Sequence, residues 1–325
     1  MNMKFQDTLD FFNPTTQKIA QKNGCTVYQM SNDTGKGVIT HYQVVPGIEL
    51  FYNNFHMKNG YNENKLPKPD VMEINHCRVG RFECELSNGD CIYLGEGDLS
   101  ISMLTNTTRE TRFPLSQYHG ISLTFYLPQA AKSLAAVGAA FGGMPIDLFQ
   151  IRDKMCQSDT CLVMRTKDTI QHIFSELYKT PTELMPYYFK IKVLELLFFL
   201  HSTNPSEYKR ERRYFYKNQV QTIKEIHAYM IQNLGQHLTL EELSQQFSIP
   251  MTSMKTCFKA VYGSSIYAYM KSYRIQAAAA LLRESGKSIT EIASQMGYDN
   301  PSKFSEAFKK EIGVLPSEYR NFPLE

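Results

Sequence analysis

The sequence predicts an α+β chain in which a strand-rich segment is followed by helices. From about residue 38 to residue 126, short apolar runs alternate with turn signals such as Pro46-Gly47 and Asn88-Gly89. This spacing is typical of a sandwich or barrel rather than of βαβ units. The Ala-rich segment that begins at Pro128 indicates the change to helix, because proline suits a first helical turn. Two similar helical segments near the C-terminus complete the prediction.

Length and charge indicate two globular domains. A chain of 325 residues suffices for about two domains. Its 42% hydrophobic and 21% charged residues exclude a disordered, collagen-like or coiled-coil chain. The net charge is only +3, but residues 209–325 carry 16 Lys and Arg against 11 Asp and Glu, a charge of +5. The positive charge therefore belongs to the C-terminal third.

The chain shows no pattern of a secreted or membrane protein. Its first residues lack a basic start followed by an apolar run. The most apolar stretch, residues 191–200, is about half as long as a membrane span requires. Seven cysteines, an odd number, favour reduced thiols over disulfides. We therefore expect a cytoplasmic protein without a membrane-spanning helix.

A charged segment separates the two predicted domains. Residues 204–217 combine a proline near the start with a run of charges, which favours a linker and places the boundary between residues 208 and 209. Just before it, residues 183–202 form a predicted helix that is apolar almost all round. Such a helix must be buried against the strands or against a second subunit, and the second option would give a homodimer.

An internal repeat carries the functional prediction. Residues 239–269 resemble residues 288–319, and each copy opens with a capping box, Thr239 with Glu242 and Ser288 with Glu291. Apolar positions match at an offset of 49 before the turn and 50 after it. A one-residue difference in the turn is what a duplicated helix-turn-helix would show.

In a helix-turn-helix the second helix lies in the major groove of DNA, so only its outward residues can read bases. Helical spacing turns Met254, Phe258 and Val261 inward in the first copy and Phe304, Phe308 and Ile312 inward in the second. Lysines suit guanine edges or phosphates, and a carboxylate accepts from the cytosine amino group. The predicted DNA-binding residues are Thr252, Ser253, Lys255, Thr256, Lys259, Ser302, Lys303, Ser305, Glu306, Lys309 and Lys310.

A continuous helix is predicted between the copies. Residues 264–285 are rich in Ala and Leu and lack Gly and Pro. At 1.5 Å per residue, about 20 residues span roughly 30 Å, close to one turn of B-DNA at about 34 Å. The helix could therefore present both second helices to successive major grooves.

The last 100 or so residues resemble the DNA-binding domain of the AraC/XylS family of bacterial transcriptional regulators. The strongest match is ITEIASQMGYDNPSKFSEAFKKEIGVLPSEYR, residues 289–320. Many members have arginine at the positions held here by Thr256 and Glu306, which leaves the inherited base preference open. The residues that meet the family pattern are Ile289, Ile292, Ala293, Gly297, Tyr298, Phe304, Phe308, Lys309, Gly313, Pro316, Ser317, Tyr319 and Arg320.

The resemblance implies an architecture and a function for the whole chain. The family commonly has a cupin-like effector-binding barrel, here about residues 38–126, and a helical dimerisation region, here about 128–203, within residues 1–208. It implies a homodimeric, effector-responsive activator that binds double-stranded DNA and contacts RNA polymerase. It implies no catalytic residue and no cofactor.

The effector is not determined by the sequence. The segments EINHCRVGRFECEL and GYDNPSKF are similar to regulators that respond to the siderophores pyochelin and yersiniabactin. This similarity implies an anionic ferric chelate held by basic and aromatic side chains, for which the candidates are Arg78, Arg81, Tyr93, Arg109 and Arg112. A neutral metabolite, or no ligand, stays open.

Two alternative functions stay open, a repressor with an unliganded barrel and a cupin-type metalloenzyme fused to a DNA-binding domain. A cupin enzyme needs clustered metal ligands, typically two histidines spaced by one residue. The candidates His41, His56, His76 and His119 lack that spacing, so no metal site is predicted.

Overall fold

The computed structural model describes residues 16–22, 24–60, 68–86, 91–105, 108–157, 161–165, 168–181, 183–208, 215 and 217–321, with the backbone alone at 22, 108–109, 168–169 and 217. The chain forms two compact units, residues 1–214 and residues 215–325, called here the N-terminal unit and the C-terminal unit. Within the described ranges, every helix is too short or too polar to cross a membrane.

The N-terminal unit begins with strands and ends with helices, as the sequence predicts. Its strands are β1 Thr16–Lys22, β2 Cys25–Asn32, β3 Gly35–Val45, β4 Ile48–His56, β5 Lys68–Gly80, β6 Phe82–Leu86, β7 Cys91–Leu94, β8 Leu99–Leu104, β9 Thr108–Arg112, β10 Tyr118–Tyr126 and β11 Leu162–Met164. Its helices are α1 Leu127–Ala140, α2 Leu148–Met155, α3 Asp168–Leu177 and α4 Met185–Ser202.

The described strands form two open sheets rather than the predicted closed barrel. One sheet has the order β1-β2-β3-β4-β10-β5-β8-β11, and the other has the order β7-β6-β9. Short strands separated by turns are common to barrels and to packed sheets, so the sequence pattern did not distinguish them. A closed barrel has no edge strands, whereas β1 and β11 lie at the two edges of the larger sheet.

Side-chain alternation gives the larger sheet two buried faces. Leu50 of β4 and Leu123 of β10 are register partners on one face, which packs against α1–α4. On the other face, Phe51 and Phe55 of β4 pack with Leu94 of β7 in the smaller sheet. Because alternate residues of a strand point to opposite faces, β4 contributes to both cores.

Helix α4 is buried on one side only. Phe189, Val193 and Leu197 are at most 2% exposed and belong to the core between the helices and the sheet. Its other side carries large apolar side chains that are 42–69% exposed, Leu184, Tyr187, Ile191 and Phe198. Burial in this core, which was one of the two predicted possibilities, therefore accounts for one side of α4.

All regular secondary structure in the described part of the C-terminal unit is helical. Its helices are α5 Lys217–Gln232, α6 Leu240–Gln246, α7 Met251–Tyr262, α8 Ile266–Glu284, α9 Ile289–Gln295, α10 Pro301–Ile312 and α11 Pro316–Asn321. Helices α6 and α7 are called here the first repeat, and α9 and α10 the second repeat. Helix α8, with 19 residues, is the predicted connecting helix.

The two repeats use the same local chemistry. Both predicted capping boxes are confirmed, with Thr239 and Glu242 at the start of α6 and Ser288 and Glu291 at the start of α9. Each turn is closed by the same backbone bond, from Ile249 N to Ser244 O at 3.1 Å and from Tyr298 N to Ala293 O at 2.9 Å. Four residues join α6 to α7 and five join α9 to α10, which confirms the one-residue difference between the copies.

Removal of the cap of α9 tests this local chemistry. The Ser288 hydroxyl accepts from Glu291 N at 3.2 Å, and the Glu291 carboxylate accepts from Ser288 N at 2.7 Å. We expect Ser288→Ala to lower the free energy of unfolding by about 1 kcal/mol, because an N-terminal amide loses its partner. Chemical denaturation measures the change. Ser294→Ala, at an exposed position of the same helix, is the control, and equal losses in the two variants would contradict the prediction.

Candidate nucleic-acid interface

Burial of one side of α7 turns the predicted reading residues outward. Met254, Phe258 and Val261 are fully buried. Around them, Thr252, Lys255 and Lys259 are exposed, whereas Ser253 and Thr256 are half-buried. The structure therefore brings all five predicted residues of the first repeat onto the outer part of one helix.

Helix α10 has the same arrangement. Phe304 and Phe308 are fully buried and Ala307 is 9% exposed. The half-buried Ser305 donates its hydroxyl to Pro301 O at 2.9 Å, so this hydroxyl proton already has an acceptor within the helix. The remaining predicted residues of the second repeat are all exposed, Ser302, Lys303, Glu306, Lys309 and Lys310.

The first turns of the two helices differ. The side chain of Asn300 accepts from the backbone N–H of Ser302 at 2.8 Å and of Lys303 at 3.3 Å, which occupies two amide donors of α10. Helix α7 begins after Pro250, whose side chain makes no capping hydrogen bond. Backbone amides that could meet a phosphate are therefore less engaged at the start of α7 than at the start of α10.

The charges on these helices are mainly positive. Lys255 and Lys259 lie on α7, and three lysines share α10 with two glutamates. Glu311 accepts from Ser272 of α8 at 2.5 Å, which directs it toward the connecting helix. Glu306 makes no ion pair with any residue in the described part of the chain, so its carboxylate stays available on the outer face.

Residues 243–321 match a family model described as a helix-turn-helix domain. The C-terminal unit therefore contains a helix-turn-helix domain. It is similar to part of an AraC-like transcription regulator of Streptomyces lividans, with 33% identity over 85 residues, 26% of this chain and 28% of that protein. It is also similar to the transcriptional activator RhaR of Mannheimia succiniciproducens, with 28% identity over 102 residues, 31% of this chain and 37% of that protein.

The helix-turn-helix domain is also similar to a solved structure, the C-terminal domain of the response regulator AraT from Geobacillus stearothermophilus. The identity is 30%, the match covers 32% of this chain and 87% of that chain, and the TM-score is 0.31. The matched segment spans only 28% and 37% of the two relatives named above. These similarities therefore concern the helix-turn-helix domain alone.

The described candidate effector residues of the N-terminal unit are distributed over both sheets and the segment between them. Exposed Arg78 of β5 stacks over the Tyr178 ring at 4.5 Å, while buried Arg81 lies beside Gly95 in the β7–β8 turn. On the smaller sheet, Tyr93 and Arg112 both have Glu83 as register partner. The side chain of Arg109 lies outside the described part of the structure.

Arg112 is surrounded by carboxylates rather than by open space. Its guanidinium lies 2.8 Å from Glu83 and 3.4 Å from Glu85, and it also pairs with Glu110. Burial lowers the pKa of Arg112, but its hydrogen bonds and ion pairs with Glu83 and Glu110 together outweigh this effect, so the pKa is raised overall. Three carboxylates already engage the Arg112 guanidinium, so an anionic ligand would have to compete with them at this residue.

Two histidine contacts in the N-terminal unit could not be predicted from the sequence. His56 and His119, on β4 and β10, have their Nε2 atoms 3.4 Å apart. His41 Nε2 lies 3.7 Å from Glu49 Oε2, and both residues are buried. Among the described residues, no group of three or more His, Cys, Asp or Glu side chains could hold a metal ion.

Burial opposes charge on both His41 and Glu49. It lowers the pKa of His41 to about 4 and raises the pKa of Glu49 to about 7, although the positive charge of Lys68 acts in the opposite direction on Glu49. The two side chains therefore do not form a full ion pair at neutral pH, despite their short separation. An ionised Glu49 destabilises the folded N-terminal unit.

The pKa of Glu49 predicts a pH-dependent effect of its substitution. As pH rises from about 4.5, the unfolded chain loses the Glu49 proton first, so the folded state loses stability until pH passes about 7. Glu49→Gln removes this loss, and we expect it to be more stabilising at pH 8 than at pH 5 by up to about 3 kcal/mol. Chemical denaturation at both pH values measures this. Exposed Glu183→Gln is the control, and a pH-independent effect of Glu49→Gln would contradict the prediction.

Proposed function

We propose that this chain is a sequence-specific DNA-binding transcriptional regulator. The observation that supports this proposal is the helix-turn-helix domain, in which each of the two repeats has one helix with a polar, lysine-bearing face turned outward. Helices α7 and α10 are the recognition helices and enter successive major grooves. Helix α8, about 28 Å long at 1.5 Å per residue, is close to one turn of B-DNA.

The outward residues divide into two roles. Lysines give salt-dependent affinity through phosphates, and residues at the start of each recognition helix reach base edges. Sequence preference comes from Thr252, Lys255, Thr256, Ser302, Lys303 and Glu306. The unpaired Glu306 carboxylate suits a cytosine amino group better than a phosphate, since a phosphate would repel it.

In this proposal, residues 1–208 sense an effector and residues 209–325 bind DNA and contact RNA polymerase. Activation is favoured because the matched relatives include an activator, RhaR. The effector is a small molecule bound by the N-terminal unit, whose strand-rich part is cupin-like. A siderophore is the less favoured effector, because an anionic chelate would have to compete with the three carboxylates that already engage Arg112.

Two alternatives are distinguishable by experiment. A repressor would lower transcription from its target promoter in a reconstituted assay with RNA polymerase, whereas an activator would raise it. A metalloenzyme would hold a stoichiometric metal in the N-terminal unit, which metal analysis of the purified protein measures. Selection of bound fragments from the source genome would identify the operator and the neighbouring genes.

Lys303 tests the assignment of α10 as a recognition helix. We expect Lys303→Ala to weaken specific binding by about 1 to 3 kcal/mol if the lysine contacts a base, or to lower the salt slope by about one unit if it contacts a phosphate. Gel-shift titration at several salt concentrations measures both. Lys132→Ala removes the same charge from an exposed position of α1 and is the control. Unchanged affinity and slope would exclude Lys303 from the interface.

Helix α4 is the proposed dimerisation surface. Leu184, Tyr187, Ile191 and Phe198 recur at intervals of three to seven residues, so they form one exposed apolar stripe. A second copy of the same stripe would remove this surface from water and produce a symmetric dimer. The arrangement would also place two AraC-type domains in one regulator.

Substitution in this stripe tests the dimer. We expect Ile191→Arg to convert the full-length protein from dimer to monomer at micromolar concentration, because a buried unpaired charge opposes association. Sedimentation velocity measures the mass. Ser175→Arg places the same side chain at an exposed position of α3 and is expected to remain dimeric. A dimeric Ile191→Arg variant would exclude α4 from the interface.

A further inference from the structure

The loop between α5 and α6, residues 233–238, packs against the second repeat rather than the first. Half-buried Leu234 joins the apolar core that contains Met296, Phe304 and Phe308. This loop is called here the α5–α6 loop. It precedes the first repeat in the chain, yet one of its side chains completes the core of the second.

Two glycines allow the backbones to meet at this contact. Gly297, in the turn of the second repeat, has a left-handed φ of 75°. A Cβ at this position would lie 3.0 Å from Leu234 O and 3.3 Å from Gly235 O, and a Cβ at Gly235 would lie 3.3 Å from Gln295 O. Arg274 of α8 also donates to Gln236 O at 2.9 Å. The loop is therefore held by the second repeat and by the connecting helix.

The helix that leads into this loop is attached to the first repeat and the start of α8. His227 of α5 lies 2.8 Å from the Tyr269 hydroxyl and stacks on Tyr262, with ring centroids 4.3 Å apart. Tyr229 of α5 contacts Phe247 edge-on at 5.7 Å. Helix α5 thus belongs to the first repeat, while the loop that continues it belongs to the second.

The equivalent loop of the second repeat provides an internal comparison. Arg320 donates to Lys287 O at 2.6 Å, as Arg274 does to Gln236 O. Gly286, which is 51 residues after Gly235, would place no Cβ within 4 Å of another residue. The arginine contact is common to both repeats, but the glycine contact occurs only at the α5–α6 loop. A helix-turn-helix of this kind therefore forms without the glycine contact.

We propose that the α5–α6 loop is a second connection between the repeats, alongside α8, and fixes the separation and orientation of α7 and α10. Gly235, Gly297 and Arg274 are its positioning residues. With one connection the repeats could rotate about the ends of α8, whereas two attachment points remove that freedom. This proposal rests on the DNA-binding function above, because a fixed separation matters when both helices bind one site. Two linked modules gain affinity when their geometry fits both half-sites.

The test compares Gly235→Val with Gly286→Val in the full-length protein. Neither glycine has a left-handed φ, so valine meets no left-handed strain at either position, and only Gly235 contacts the second repeat. Spin labels are attached at Lys255→Cys and Lys303→Cys, and electron spin resonance measures the distribution of distances between them. The protein without these two substitutions, treated with the same label, gives the background signal. We expect a narrow distribution in the parent and in Gly286→Val, and a broader or shifted one in Gly235→Val. Identical distributions would overturn the proposal.

Binding to DNA gives the second measurement. For proteins without spin labels, the affinity for a selected full DNA site is divided by the affinity for each half-site. This ratio is called here the full-site advantage. We expect the full-site advantage to fall about tenfold or more in Gly235→Val and less than twofold in Gly286→Val, since avidity from linked modules is typically 10² to 10⁴. An unchanged ratio in Gly235→Val would also overturn the proposal. A parent protein that binds no DNA would refute the proposed function, while the label distances would still test the loop.

A second glycine pair covers the case in which Gly235→Val fails to fold. Gly297→Ala and Gly313→Ala both place alanine at a left-handed φ, 75° and 93°, but Gly313 has nothing within 4 Å of a built Cβ. The backbone strain is therefore shared and only the loop contact differs. We expect Gly297→Ala alone to change the distance distribution and the full-site advantage. Equal effects in the two variants would assign the change to strain and overturn the proposal.

Discussion

Burial of one apolar face on each of the helices α7 and α10 is the constraint on which the C-terminal unit depends. Phe258 in the first repeat and Phe304 with Phe308 in the second are fully buried, and their removal from water fixes the rotation of α7 and α10 about their own axes. The lysines are outward because these aromatic residues are inward. The same burial supplies the core against which Leu234 and α8 pack. Positioning for DNA is therefore a consequence of core formation.

Local features of the C-terminal unit were predictable because they depend on residues close in sequence. The capping boxes, the turns and the inward positions follow from three- to five-residue spacings, which helix geometry fixes. The two turns also show a limit of this reasoning. Ser248 adopts a φ of 49° where the second copy has Gly297, and a serine gives little warning of a left-handed backbone.

Features that depend on distant residues were not predictable. His56 and His119 are 63 residues apart, and Arg112 is 29 residues from Glu83. Strand order and register decide these contacts, and no local pattern encodes them. From the sequence alone, these contacts were unknown and the arginines were candidates for binding an anionic ligand. Once the strands pair, Arg112 is engaged by carboxylates on two strands of the smaller sheet. The open sheets in place of a barrel have the same cause.

The position of Leu234 has a consequence for folding. The matched helix-turn-helix segment starts at residue 243, so the second repeat's core contains a side chain that lies outside that segment. During synthesis this residue leaves the ribosome before either repeat, and it gains its core contacts only after the last helices have formed. The chain on both sides of the first repeat, Leu234 before it and α8 after it, therefore contributes to the core of the second repeat, which links the stability of the two repeats. The duplicated domain should therefore unfold in one cooperative transition, unlike solenoid repeats, which contact only their neighbours and can unfold stepwise.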